Sequence, residues 1–363
     1  MDGQTTGKAG RRAGARPAAG ASAERTTLQH VARAAGVSIG TVSKVVNGRT
    51  GVGAETRVRV EEVIAELGYV SLGERQGSVH TAQEMSVELV VDPRTVSNPY
   101  LSQFLGGALE AAAELGVALV LRSVGAGSIE DAGAWAQGLA RSGRAGVIEA
   151  TSAYSAPREK ALKRAGLHMV LVDPIDVPRT STPSIGATNW AGAYAAAQHL
   201  LGLGHREIRY IGGPPGAHCD NVRAHGWAAA MGEAGLEADA ALVPRHSYTF
   251  EHGLAAAIEM LTGERPPTAI FAGSDTTATG VLEAARRLGL SVPDDLSIIG
   301  FDDTPLSQMS APPLTTVHQP IADIGRTAVS TMVRLARGQL LSTNRVELST
   351  HLVVRDSTAP LRK

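Results

Sequence analysis

Seven short apolar runs recur between Val87 and Phe301: VELVVD, VALVL, AGVIEA, HMVLVD, IRYIGG, TAIFAG and LSIIGF. Strand bodies this apolar predict strands buried on both faces, which is the condition of a parallel sheet. Helical stretches such as Tyr100 to Leu115, Trp190 to Leu203, Asn221 to Ala234, Thr277 to Leu288 and Ile321 to Ala336 separate them. That alternation predicts an α/β fold of doubly wound parallel sheets. The pattern also repeats. VELVVDPRTVSNPYLSQFLGGALEAAAELGVAL and IRYIGGPPGAHCDNVRAHGWAAAMGEAGLEADAAL share the order strand, loop, helix, glycine, strand, which implies two similar lobes.

A different texture precedes this repeat. Leu28, Val31, Ala32 and Ala35 fall on one stripe of a helix, with Thr27 as its N-cap. Gly36 supplies the positive φ of a sharp turn, and Val37 places an apolar side chain under the corner. Ser38 caps a second helix that buries Val42, Val45 and Val46, turns Ile39, Gly40, Ser43 and Lys44 outward, and ends at Asn47-Gly48. A third helix, from about Ala54 to Leu67, buries Val60, Val63, Ile64 and Leu67 and stops at Gly68. Two helices about a glycine form a helix-turn-helix, whose second helix enters the DNA major groove. They equally suit the three-helix cap of an unrelated domain, and spacing alone leaves both open.

Motifs along the chain add what spacing cannot. TLQHVARAAGVS, TVSKVVNG and the T-R-x-x-V before AELGY resemble the headpiece of the LacI/GalR family of bacterial transcription regulators. HLLGLGHREIRYIGGP, DDLSIIGFDD, PPLTTVHQP and LVVRDST resemble its sensor core, so the likeness runs from Thr27 to Thr358. It implies a three-helix helix-turn-helix domain at 26–70 and a two-lobed core of periplasmic-binding-protein type at 87–358. The N-lobe would take about 87–187 and 321–340, and the C-lobe about 188–318 and 341–358. Family members usually carry a hinge helix between the two parts. Here the wedging leucine's position falls on Ser78, and Gly73 and Gly77 each disfavour helix by up to about 1 kcal/mol, so 71–86 reads as a linker or atypical hinge.

At 363 residues the chain suits two to three domains. Its net charge of −1 argues against a nucleic-acid binder until the distribution is read. Residues 1–75 hold eleven Lys/Arg against seven Asp/Glu, a net +4, which leaves the remainder acidic and orients the basic end toward phosphate. Residues 1–25 lack a signal peptide's apolar core and read as a disordered basic arm. No stretch approaches the roughly 18 apolar residues of a membrane span. Cys219 is the only cysteine, so no intrachain disulfide can form. No Cys/His spacing suits a metal, GGPPGAHCD lacks a dinucleotide-binding glycine spacing, and the neighbours His218, Cys219 and Asp220 cannot converge on one reacting atom. No enzyme activity, cofactor or metal is expected.

In open α/β sheets ligands bind beyond the carboxyl ends of strands. Those ends carry Asp92, Glu149, Asp173, Gly212-Gly213, Ser274-Asp275 and Asp302-Asp303, which either cap helices or accept hydrogen bonds from a ligand. By the resemblance, Arg223, Asp302, Gln319, Tyr248 and Tyr100 match effector-contacting positions, with Asp173, Ser274 and Asp275 completing the expected set. Ser274 replaces a longer asparagine common in the family. An Arg fork, a carboxylate and aromatic faces suit a neutral sugar. Trp190 offers either another stacking face or interlobe packing.

The resemblance thus implies a dimeric transcription repressor of the bacterial cytoplasm, nucleoid-associated when bound to a near-palindromic operator in double-stranded DNA. Its effector would be a mono- or oligosaccharide. An activator of the same architecture shares every motif, and a pure sugar-binding protein would need an export signal and no headpiece. Lys44 is expected at guanine or phosphate and Ile39 at a thymine methyl. Ser38, Thr41, Ser43 and Asn47 are expected at phosphates, and Thr27, which also caps the first helix, and Gly40, which offers no side chain, complete the expected DNA-binding set.

Overall fold

The computed structural model describes residues 27–46, 51–67, 85–93, 97–124, 129, 131–176 and 181–362. The arm at 1–25, Asn47, Gly68 and most of the 71–86 linker lie outside the described residues. The described residues fall into two units, one up to residue 67 and one from residue 85.

In the first unit, α1 (Leu28–Ala35), α2 (Ile39–Val46) and α3 (Ala54–Glu66) close on an aliphatic core of Val31, Ala32, Ala35, Val42, Val45 and Val60. Thr27 Oγ1 accepts from His30 N at 3.4 Å, and Gly36 takes φ 65° to end α1. Ser38 Oγ accepts from Thr41 N at 3.1 Å and starts α2. Val46 is only partly buried, because it sits at the open end of α2 and packs on the edge of the core.

The second unit contains two sheets. In the first, β1 (Met85–Val91), β2 (Val117–Ser123), β3 (Arg144–Ala150), β4 (His168–Val172), β5 (Ser184–Ala187) and β10 (Arg345–Leu348) run in the order β10-β5-β4-β3-β1-β2, all parallel. In the second, β6 (Ile208–Ile211), β7 (Ala269–Ala272), β8 (Ser297–Asp302), β9 (Thr315–His318) and β11 (His351–Val353) run in the order β11-β9-β8-β7-β6, with β11 antiparallel. Each sheet carries a helix pair on each face. The first lies between α4 (Pro99–Leu115) with α12 (Ile321–Ala336) and α5 (Ala132–Arg141) with α6 (Ala156–Arg164). The second lies between α7 (Asn189–Gly202) with α8 (His218–Glu233) and α9 (Phe250–Leu261) with α10 (Asp275–Leu288), and the short α11 (Pro305–Met309) follows β8.

Two expectations need correction. The strand predicted at the end of the second repeat is instead a 3-10 turn at Ala240–Leu242 followed by a single bridge from Gly212 to Arg245. Pro244, which lacks an N–H, interrupts pairing there while its carbonyl accepts from Gly212 N at 2.9 Å. Residues 345–348, expected in the C-lobe, add instead to the first sheet as β10. The chain therefore crosses between sheets after β5, after β9 and between β10 and β11. As an edge strand, β10 exposes Arg345 and Glu347 and so has no continuous apolar run to mark it.

The high glycine and alanine content is used where helices meet. A Cβ on Gly107 of α4 would lie 1.9 Å from Ala322 O on α12, and one on Gly325 of α12 would lie 2.3 Å from Phe104 O. Backbone faces backbone at this crossing, so no side chain can yield. Gly107→Ala is expected to push the helices apart at an overpacking cost of about 1–3 kcal/mol. At about 2–4 °C per kcal/mol, thermal melting should fall by several degrees.

Candidate functional site

The exposed face of α2 is built by subtraction. Val42 and Val45 are committed to the core, which leaves Ile39, Gly40 and Lys44 exposed, Ile39 at 46%. Ser38 is exposed and Thr41 half-buried, and their hydroxyls meet at 2.9 Å at the N-terminal end of the helix. Ser43 is half-buried. The side chain of Thr27 is occupied by its cap. A protruding apolar side chain beside a cation and hydroxyls can meet both base edges and phosphates.

In the second unit, four segments converge on Arg223 of α8. Its Nε donates to Asn189 Oδ1 at 2.7 Å, and its Nη1 donates to Gly273 O at 2.6 Å and to Tyr248 Oη at 3.4 Å. The guanidinium lies 3.7 Å from the Phe301 ring centroid and 5.6 Å from that of Tyr248. Burial works against its charge, but Tyr248, Cys219 and Asp302 outweigh that and raise its pKa. Asp302 Oδ1 stands 3.9 Å from Arg223 Nη1 and accepts from Gln319 Nε2 at 2.6 Å. Gln319 Oε1 is buried with no hydrogen-bond partner among the described residues, an acceptor open to a donor. Across the groove, Tyr100 Oη donates to Asp173, whose charge also bears on Arg223 and Asp302.

The ends of these strands carry backbone strain. Asp173, Asp302 and Asp303 take φ of 40°, 113° and 56°, a region side-chain-bearing residues rarely adopt. The strain turns carboxylates off the strand ends, the arrangement a binding site uses.

Arg223, Asp302, Gln319, Tyr248, Tyr100 and Asp173 are thus brought together, whereas Ser274 and Asp275 serve the framework. Ser274 Oγ caps α10 at Thr277 N, 3.1 Å away. Asp275 accepts from Thr304 N, Thr304 Oγ1 and Thr316 Oγ1 at 2.7, 2.9 and 2.6 Å, which satisfies it within the protein. Glu149 is likewise consumed by Arg158, and Asp303 by Arg355 and His318. Sequence reasoning missed Asn189, Phe301 and the Gly273 carbonyl, which hold the Arg223 side chain from three other segments. Nothing in the motif around Arg223 signals them. Trp190 stacks on Tyr194 at 5.0 Å and remains 44% exposed. Burial pushes the Cys219 thiol up to about 11, so it is not a thiolate nucleophile.

Residues 27–71 match the model for bacterial regulatory proteins of the lacI family, and residues 197–358 match the periplasmic binding protein-like domain. The HTH-type transcriptional regulator DegA of Bacillus subtilis (strain 168) is 36% identical over 93% of this chain and 99% of its own length. The chain is a LacI-family transcription regulator. A solved transcriptional regulator CelR-cellobiose complex is 32% identical to this regulator, with a TM-score of 0.68 over 92% of the regulator and 100% of that chain. The lac repressor dimer bound to operator and the anti-inducer ONPF is 27% identical, with a TM-score of 0.71 over 93% and 100%. No described helix of the regulator is long and apolar enough to cross a membrane.

Burial pushes the Asp302 carboxyl up to about 8, against the pull of Arg223 and with Asp275 adding to the rise. A carboxyl raised in this way favours folding below its unfolded value, about 4. That contribution is lost as pH climbs through the raised value. The stability of the regulator relative to its Asp302→Asn variant is therefore expected to decline between about pH 4 and about pH 8. Urea melts of both proteins across that range check it, and a constant difference would contradict it.

Proposed function

We propose that this regulator is a dimeric cytoplasmic repressor. In this reading α2 of each protomer enters one half-site of a near-palindromic operator, and a neutral saccharide in the Arg223 cluster controls its release. The observation that carries the effector reading is a buried guanidinium fork, a carboxylate and an unpartnered Gln319 acceptor at strand ends between two sheets. Sugar hydroxyls both donate and accept, and so satisfy all three, while Tyr248 and Tyr100 offer ring faces. The likeness to a regulator solved with cellobiose supports the same class. Asp275 and Ser274 act as positioning residues for the Asp302 loop.

Coupling needs only that the saccharide prefer one lobe arrangement, a differential of about 1–3 kcal/mol being typical. The test is a panel of neutral mono- and oligosaccharides, scored for a rise in melting temperature and for loss of operator binding in gel shift. A panel with no active member would sink the saccharide reading.

The DNA face makes its own prediction. Lys44→Ala and Ile39→Ala remove exposed side chains, so melting should be unchanged. Operator affinity should fall by about 1–3 kcal/mol for each side chain that reads a base. Fluorescence anisotropy with operator and scrambled duplexes separates base reading from phosphate contact, because only the former lowers the ratio of the two affinities.

A further inference from the structure

The groove between the two sheets has a second part that the Arg223 cluster does not use. Beyond Asp173 at the end of β4, the next strands of the first sheet are β5 and then β10, about 10 Å away at the usual strand spacing. A cavity of about 240 Å³ lies there, lined by Gly186 and Val346 from that sheet and by Asn189, His218 and Val222 from the first turns of α7 and α8. Asp173 and Cys219 line it too, and both also interact electrostatically with Arg223. With Asn189, which accepts from Arg223 Nε, the two spaces share a boundary of three side chains.

The chemistry of this cavity is balanced in charge. Arg345 Nη2 donates to Glu347 Oε1 at 2.7 Å and lies 3.2 Å from His218 Nε2, so a cation, a carboxylate and an imidazole meet at one edge. An anion would gain from Arg345 only by displacing Glu347, whereas a polyhydroxylated neutral ligand can donate to one and accept from the other. Trp190, which also lines the cavity, is held flat against Tyr194 and exposed, a plane on which the C–H face of a sugar can lie.

We propose that this cavity is a second sugar subsite, which takes the next ring of a neutral oligosaccharide whose first ring lies among Arg223, Asp302 and Gln319. The inference rests on the effector reading given above. Its walls come from β5 and β10 of the first sheet, from the crossing after β5, and from α7 and α8, which pack on the second sheet, so a ring lodged there ties the lobes together, and saccharide length is read as lobe closure.

The test uses the full chain and titration calorimetry with glucose, cellobiose, cellotriose, maltose and maltotriose. The wild type should bind the di- or trisaccharide of one series at least ten-fold more tightly than glucose, at one saccharide per chain. Val222→Trp, which fills the cavity, should abolish that gain and leave glucose binding unchanged. Arg345→Ala, a substitution at an exposed edge, should reduce the gain without altering folding. A length gain that survives in Val222→Trp, or two independent glucose sites per chain, would overturn the subsite while leaving the effector reading intact. Glucose binding unaffected by Arg223→Ala, or no binding by any of the five, would overturn the effector reading itself.

Discussion

Arg223→Met is expected to abolish the saccharide response while leaving operator binding in place. Methionine keeps the apolar stem but removes a fork whose Nε and Nη1 are spent on Asn189, Gly273 and Tyr248. Those bonds fix the guanidinium over Phe301 and beside Asp302, so the cation is held in position before any ligand arrives. Without it, Asp302 loses its nearest opposite charge and the Asn189 and Gly273 acceptors lose their donor. Leaving the buried Asn189 and Gly273 acceptors without their donor costs about 1–3 kcal/mol each, so melting should fall by about 10 °C at the usual 2–4 °C per kcal/mol. Arg223→Lys keeps the charge without the fork and should recover stability in part but not the saccharide response. The check is a paired measurement: melting with and without saccharide, and gel shift with and without saccharide. A variant that still released operator on saccharide addition would remove Arg223 from the effector site.

How far such a site could be read beforehand depended on where each residue's partners lie. Most of the seven apolar runs announced their strands because helices cover both faces, as with Val87, Leu89 and Val91 on one side of β1 and Val90 on the other, whereas VALVL, expected to be buried on both faces, forms the edge strand β2 and leaves Leu121 exposed. The headpiece's cap, glycine turn and first core stripe were equally legible, being local, but Leu67, expected in the core, lies just past α3 and is 40% exposed. β10 was not, because an edge strand with Arg345 and Glu347 in water carries no apolar signal. Arg223, Asp302 and Gln319 were legible only through a family likeness. Their convergence is long-range, and Asn189 and Arg223, bonded to each other, stand 34 residues apart. Asp275 misled for a related reason. A carboxylate after a strand looks the same whether its acceptor lone pairs face a ligand or, as here, two threonines brought in from later segments.

That commitment makes Asp275 the second position where a large effect is expected. Its carboxylate ties the start of α10 to Thr304, just past β8, and to Thr316 on β9. Gly300 leaves it room, since a Cβ there would come within 2.4 Å of Asp275 Oδ1. Between these anchors run Asp302 and Asp303 with their positive φ, a conformation that persists only while the surroundings enforce it. Asp275→Ala strands three buried donors at about 1–3 kcal/mol each. Sharing and relaxation bring the total nearer 3–5 kcal/mol, or again about 10 °C in melting. The strained turn should then relax, Asp302 should leave its place beside Arg223, and saccharide affinity should fall although Asp275 touches no ligand. Asp275→Asn retains one acceptor oxygen and should show a smaller loss of both. Because burial raises the Asp275 carboxyl, its ionisation opposes folding, so Asp275→Asn should lose least against the wild type at the alkaline end of the range. Melting and saccharide titration on the two variants separate the cases: a stability loss with saccharide affinity unchanged would mean that the Asp302 turn does not depend on Asp275.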